Sequence, residues 1–314
     1  MIFDSLRLLR IFLFIFLTLN FSQATEIKIL KKINNEIITN VDVELEYNYL
    51  VALNNDLKNV AKNEGLKIAE DSLLREKIKL NEIKKNFLIE NFKDKELLNN
   101  ILISFYKQLN LKDELEFNNY LQNFGLNINE VKDKIKIEVL WNQLIGQKYM
   151  SQINIDEQAL KKKIKKDKLN FIDVIEYDLS EIVFQAKDQN ELNSKINEIK
   201  LNIDMNGFSA AANRFSTANS SKFGGKIGKV KENQLSNQIQ KELNKINIGE
   251  ITNPINIGSG FIILYINDKK ISKLEENEGD LLKKMIQFEK AKQFDQFSLI
   301  YFNKVKINTI IKSD

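Results

Sequence analysis

The chain has 314 residues, a net charge of +4 from 47 basic and 43 acidic side chains, and neither cysteine nor histidine. That composition excludes disulfides, thiolate nucleophiles, cysteine-ligated metal centres, Ser-His-Asp triads and zincin-type sites, while carboxylate or lysine chemistry stays open. Acidic and basic residues are mixed throughout, whereas a nucleic-acid binder gathers its positive charge into one patch, so no nucleic-acid partner is expected.

The first two dozen residues are ordered as a secretory signal: Arg7 and Arg10, the apolar run Ile11 to Leu19, then Phe21-Ser22-Gln23-Ala24 with small residues where a peptidase reads. Cleavage near Ala24 would start the mature chain at Thr25, outside the cytoplasm; an uncleaved N-terminal anchor is the alternative. No later stretch is apolar enough to span a bilayer, so the mature form is expected not to cross a membrane.

Glu26 to Ile38 reads as an extended pair turning at Asn34-Asn35. Thr39 with Asp42 three residues on resembles a capping box for a helix through Leu53. Helical spacing follows over Leu73–Phe92, Lys95–Leu109 and Lys112–Phe124, and a fourth stripe holds Ile137, Leu140, Trp141, Leu144 and Ile145. Asp156 is a candidate cap for Glu157–Lys166, and the basic run Lys161–Lys168 reads as a solvated face or linker.

The pattern changes near Phe171. A strand is expected over Ile175–Phe184, then helices over Gln189–Ile203 and Gly207–Phe215. Gly224, Gly225 and Gly228 mark a sharp turn. A helix near Leu235–Leu243, a strand around Ile251 and Pro254, and an inner strand Phe261–Ile266 complete a compact α+β unit. A last helix is expected over Asp280–Phe297, and a closing strand over Tyr301–Ile311 whose obvious unpaired partner is the N-terminal hairpin.

These residues carry a resemblance. Ile33-Asn34-Asn35-Glu36-Ile37-Ile38-Thr39 with Asp42, and Asn110-Leu111-Lys112-Asp113 before a helix ending in Tyr120-Leu121, resemble SurA-type periplasmic chaperones. Leu179-Ser180-Glu181-Ile182-Val183, Gly207-Phe208, Ser216, Gly224-Gly225-Lys226-Ile227-Gly228, Gly249-Glu250-Ile251, Pro254 and Gly260-Phe261-Ile262-Ile263 follow the order of a parvulin-like (PpiC-type) peptidyl-prolyl isomerase domain. The implied fold class is α+β. A discontinuous, mostly helical chaperone domain (25–170 plus 271–314) would accompany one parvulin-like domain (171–270), behind a signal peptide (1–24).

The sequence departs from the family where its site histidines stand, with Glu181 and Ile262 in their places and Lys229 in place of an aromatic. An isoleucine cannot make an imidazole's hydrogen bonds, and a buried unpaired carboxylate is costly. No catalytic residue is therefore named beyond those degenerate positions, and isomerase activity is expected to be weak or absent. Phe208, Phe215, Ile227 and Phe261 are candidates for a peptide groove, each also readable as core.

The resemblance implies an ATP-independent chaperone in the periplasm whose partners are unfolded exported polypeptides, outer-membrane protein precursors above all. An active isomerase and a non-catalytic scaffold are the alternatives. No Walker-type phosphate loop is present, and no nucleotide, metal or other cofactor is expected.

Overall fold

The computed structural model describes residues 26–87, 89, 92–168, 173–273 and 278–313. The expected signal peptide, residues 1–24, lies outside them. No helix among the described residues is long and apolar enough to cross a membrane.

Strands β1 (Ile29–Ile33) and β2 (Glu36–Thr39) form an antiparallel hairpin, with Asn34 at φ 51° in the turn. Asparagine tolerates that left-handed conformation better than most side chains. Thr39 then starts α1 (Asn40–Leu53) through a reciprocal capping box. Its hydroxyl accepts from the Asp42 N–H at 3.1 Å, and the Asp42 carboxylate accepts from the Thr39 N–H at 2.8 Å.

Helix α2 (Lys62–Lys84) begins three turns before the expected Leu73 and stops short of Phe92. Its first turns face the core through Gly65, Ile68 and Ala69, and Gly65 lies directly against the Tyr47 ring. Gly65 and Ala69 carry little apolar signal, which leaves Ile68 alone to mark that face. Phe87 and Phe92 still pack on the core, but from non-helical backbone. Helices α3 (Lys95–Gln108), α4 (Glu114–Gln122) and α5 (Ile128–Tyr149) are capped by Asp94, Asp113 and Asn127. Helix α6 (Glu157–Lys168) follows, the Asp156 carboxylate accepting from the Ala159 N–H at 2.8 Å.

The second unit comprises β3 (Asp173–Phe184), α7 (Gln189–Phe215), β4 (Lys226–Lys231), α8 (Asn237–Leu243), β5 (Ile255–Asn256) and β6 (Phe261–Lys273). Its sheet runs β4-β3-β6-β5, antiparallel throughout. The two helices expected over 189–215 are one run broken at Gly207, whose φ of 82° and ψ of 163° only glycine adopts freely. Side chains alternate across the sheet. Ile182, Phe184 and Ile263 face α7, while Leu179, Ile262, Leu264 and Ile266 face the side of α8. Strand β6 is apolar on both faces, as expected of an inner strand.

Helix α9 (Glu278–Ile307) and β7 (Ile311–Ser313) end the described chain. The expected partner of the closing strand is found: β7 pairs antiparallel with β1, Ile311 opposite Ile33, and the three-stranded sheet runs β2-β1-β7. Its extent is corrected, because Tyr301–Ile307 is helical. Tyr301, Phe302 and Val305 are spaced for one helix face and are buried against α5 and α2. Trp141 of α5 donates to the Ser298 hydroxyl at 2.8 Å, with its ring 5.7 Å from Tyr301 and 6.2 Å from Phe302. The Tyr301 hydroxyl donates to Glu82 at 2.6 Å.

Cutting Phe302 back to alanine leaves a cavity beside Trp141. Phe302→Ala is expected to lower stability by about 3–5 kcal/mol. Trp141 is the sole tryptophan, so its fluorescence in urea measures this directly; the midpoint should fall with an unchanged slope.

Candidate functional site

The site begins with the way β3 meets the loop after α7. The Glu181 N–H donates to the Gly225 carbonyl at 2.8 Å, the Val183 N–H to the Ser216 hydroxyl at 3.1 Å, and the Thr217 N–H to the Val183 carbonyl at 2.8 Å. Gly225, at φ 79°, lies so close that a β-carbon there would strike the Glu181 carbonyl and Ala212. The glycine cluster thus lets loop 216–225 seat on the outer edge of β3.

That loop also reaches the helical part. Lys222 pairs with Glu138 of α5 at 3.2 Å, and Lys79 of α2 holds the other carboxylate oxygen at 2.6 Å. Phe223 meets Phe105 edge-on at 4.9 Å. Asn54 donates to the Asn213 side-chain oxygen at 2.5 Å and accepts from Ser209 at 3.0 Å, while Asn213 donates to the Ser221 carbonyl at 2.7 Å. Arg214 pairs with Glu64 at 2.8 Å. Burial alone would raise the Glu138 carboxyl, but the charges of Lys222 and Lys79 outweigh it and hold it at about 2.

Docking in this way encloses a cavity of about 540 Å³ between the α8 side of the four-stranded sheet, loop 217–222, α9 and the end of the helical part. Val183, Ile227, Ile262, Leu264, Phe288 and Leu299 supply much of its apolar wall. Glu181 lines it too, its carboxylate accepting from the Ser220 hydroxyl at 2.8 Å. Asp295 of α9 is exposed at its rim. Burial, with a smaller push from the Asp295 charge, raises the Glu181 carboxyl to about 7 against the opposing pull of the Ser220 hydrogen bond.

The structure brings together Glu181, Ile262 and Ile227 of the residues singled out by sequence. It does not place Phe208, Phe215 or Phe261 with them. These three pack on the opposite face of the sheet, among Ile182, Phe184 and Ile199, with Phe208 stacked on Tyr265 at 5.1 Å. Gly207 starts the helical segment that carries Phe208, whose ring turns onto the sheet, and Gly260 immediately precedes β6, whose first residue, Phe261, packs on the α7 face. Sequence reasoning missed Arg75, Glu138, Lys222, Phe288 and Leu299, which reach the cavity only through docking. The one local signal was that the apolar stripe of α9 runs its whole length, through Leu281, Met285, Phe288, Leu299 and Phe302.

Residues 175–268 match the Rotamase family, described as the PPIC-type PPIase domain. The segment from β3 to β6 is thus similar to a rotamase domain. Over 162 residues the chain is also 25% identical to chaperone SurA of Pseudomonas putida, a match covering 49% of this chain and 38% of that protein. The chain therefore spans little more than a third of that relative's length. The SurA-type resemblance read from the residues, with its PpiC-type domain, is borne out by these two matches.

Among solved structures the chain is similar to the SurA-like chaperones PEB4 and Cj1289 of Campylobacter jejuni, at 15% identity over 91% of this chain and 98% of that one, TM-score 0.38. PrsA from Bacillus subtilis is similar at 16% identity over 89% and 91%, TM-score 0.29. With scores this low, the structural likeness adds nothing to the sequence matches.

Because the Glu181 carboxyl sits at about 7 when folded and at 4.5 ordinarily, the folded protein binds the extra proton between those values. Stability is then full below pH 4.5 and falls as pH rises through 7. Glu181→Gln should remove that decline, gaining at most about 3 kcal/mol at pH 8 relative to pH 4.5. Urea unfolding at the two pH values checks this; an equal pH dependence in both proteins contradicts it.

Proposed function

We propose that the chain is an ATP-independent periplasmic chaperone that captures unfolded exported polypeptides, outer-membrane protein precursors among them, and that its rotamase domain is weak or inactive as an isomerase. The observation that carries this reading is the cavity of about 540 Å³, walled largely by aliphatic and aromatic side chains, where the rotamase sheet faces the helical part. Apolar contact is tolerant of sequence and needs no nucleotide. Residues 25–170 with 271–314 act as the binding body, and 171–270 as an accessory docked on it. The secretory pattern of residues 1–24 supports a site of action where exported chains are still unfolded.

Isomerisation is the second reading, favoured by the family match over 175–268 and by a carboxyl group, Glu181, facing the same cavity. Against it, Ile262 offers no hydrogen bond, and the Ser220 hydroxyl is already committed to Glu181. Lowering a barrier of ~20 kcal/mol demands groups that favour the twisted amide over the planar one.

Protein starting at Thr25 should delay aggregation of a urea-unfolded β-barrel protein without ATP, and should turn over a proline-containing peptide close to the uncatalysed rate. Failure to delay aggregation removes the chaperone reading, and catalysis far above background establishes the second. Ile227 is 38% exposed at the cavity wall, so Ile227→Lys should leave folding intact. A lost apolar contact of ~1.5 kcal/mol corresponds to roughly tenfold weaker capture.

A further inference from the structure

The wall of the cavity that belongs to the helical part holds a cluster of charges. Arg75, Lys79 and Glu76 come from α2, Glu138 from α5 and Lys222 from the docked loop, and behind the wall Lys134 of α5 and Glu46 of α1 extend the cluster. Every carboxylate in it is already engaged. Glu46 accepts from Ser72 at 2.6 Å and pairs with Lys134 at 2.6 Å; Glu76 pairs with Lys134 at 2.7 Å; Glu138 holds Lys79 and Lys222.

Of its four cations, the one without an ion pair among the described residues is Arg75. Among the described residues its guanidinium donates to the Asn213 carbonyl at 3.3 Å, which leaves most of its five N–H groups unused. Asp71, one turn back on α2, contributes attraction but no ion pair. Burial, and after it the Arg75 charge, lowers the Lys306 ammonium on the last turn of α9, with Asp71 opposing. A partly buried guanidinium lacking a carboxylate pays a desolvation cost, and a planar bidentate partner would complete it.

Resting on the chaperone reading, we propose that Arg75 forms a carboxylate subsite at one end of the cavity. It seats the chain-terminal carboxylate, or an Asp or Glu side chain, of an extended polypeptide whose adjacent apolar side chain lies between Ile262, Leu264, Phe288 and Leu299. The occupant is therefore an apolar segment bearing an anion, not an apolar segment in general. The guanidinium supplies two parallel donors, the cavity keeps water away from the pair, and the surrounding lysines stay neutralised by their own partners.

The test uses the full chain from Thr25 and three fluorescein-labelled peptides of one apolar sequence. One ends in a free carboxylate, one in an amide, and one in an amide with Asp beside the last apolar residue; binding is read by fluorescence anisotropy. The free-carboxylate peptide should bind about tenfold more tightly than the amide. Recovery of affinity by the Asp peptide would show that a side-chain carboxylate serves equally, and its failure to recover would confine the subsite to chain ends. Arg75→Met should abolish the discrimination, and Arg75→Lys should restore part of it.

Equal binding of the carboxylate and amide peptides by the native protein overturns the inference, as does discrimination that survives in Arg75→Met. Absence of binding by every peptide overturns it too. The aggregation assay tells whether the chaperone reading falls with it, since delayed aggregation without peptide discrimination removes the subsite alone.

Discussion

Asn54 and Asn213 join side chains across the boundary between the helical part and the rotamase domain, at 2.5 Å and with both residues buried. Buried amides tolerate only arrangements in which their donors and acceptors are used, because each orphaned group costs as much as several good contacts return. Here Ser209, the Ser221 carbonyl and the Asp56 N–H complete the set. The same Asn54 oxygen that fixes the 3₁₀ turn after α1 therefore also fixes where α7 rests. Apolar surfaces alone would allow the two halves to slide; this pairing does not. The cavity, the reach of Lys222 to Glu138 and the placement of Phe223 all follow from that alignment.

Charge reinforces the same seam. Glu138 draws one lysine from each half, so the pair is shared between them and its geometry holds only while they are docked. Buried ion pairs add little net stability when compared with apolar packing, yet breaking one partner away is expensive. Such a seam specifies an arrangement more than it strengthens one. Helix α9 adds the apolar counterpart, packing Phe302 on Trp141 in one half while Phe288 joins the sheet residues of the other.

What the sequence disclosed divides along physical lines. Local chemistry was legible: the Thr39–Asp42 box, the Asp156 cap, the hairpin at Asn34 and the doubly apolar β6 all depend on near neighbours. The pairing of the chain ends, though far from local, was legible too, since a closing strand needs an edge and the hairpin offered one. The misreading of Tyr301–Ile307 came from Val305 and Ile307, which alternate as a strand does, while Tyr301, Phe302 and Val305 keep helical spacing against a core that the sequence does not display. Phe208 and Phe261 look like binding residues because they sit beside the family's glycines, and Phe215 because it sits beside Ser216. Which face an aromatic takes is decided by sheet alternation and by α7, not by its neighbours in sequence. Arg75 and Glu138 carried no local mark at all, because their role exists only where two distant parts of the chain meet.

The two departures at Glu181 and Ile262 acquire a common meaning inside that cavity. A catalyst must hold the twisted amide better than the planar one, which requires donors placed where charge and lone pairs shift during rotation. At this site the serine hydroxyl donates inward to Glu181, and the neighbouring strand presents an aliphatic branch. Contact with such a wall is nearly the same for both amide geometries. Uniform binding lowers no barrier, but it is what capture requires, because a chain held equally well in many conformations is shielded without being committed to any of them. The sheet that matches the rotamase family thus presents, at these two positions, an engaged carboxyl and an aliphatic branch to a largely apolar recess with Arg75 on its wall.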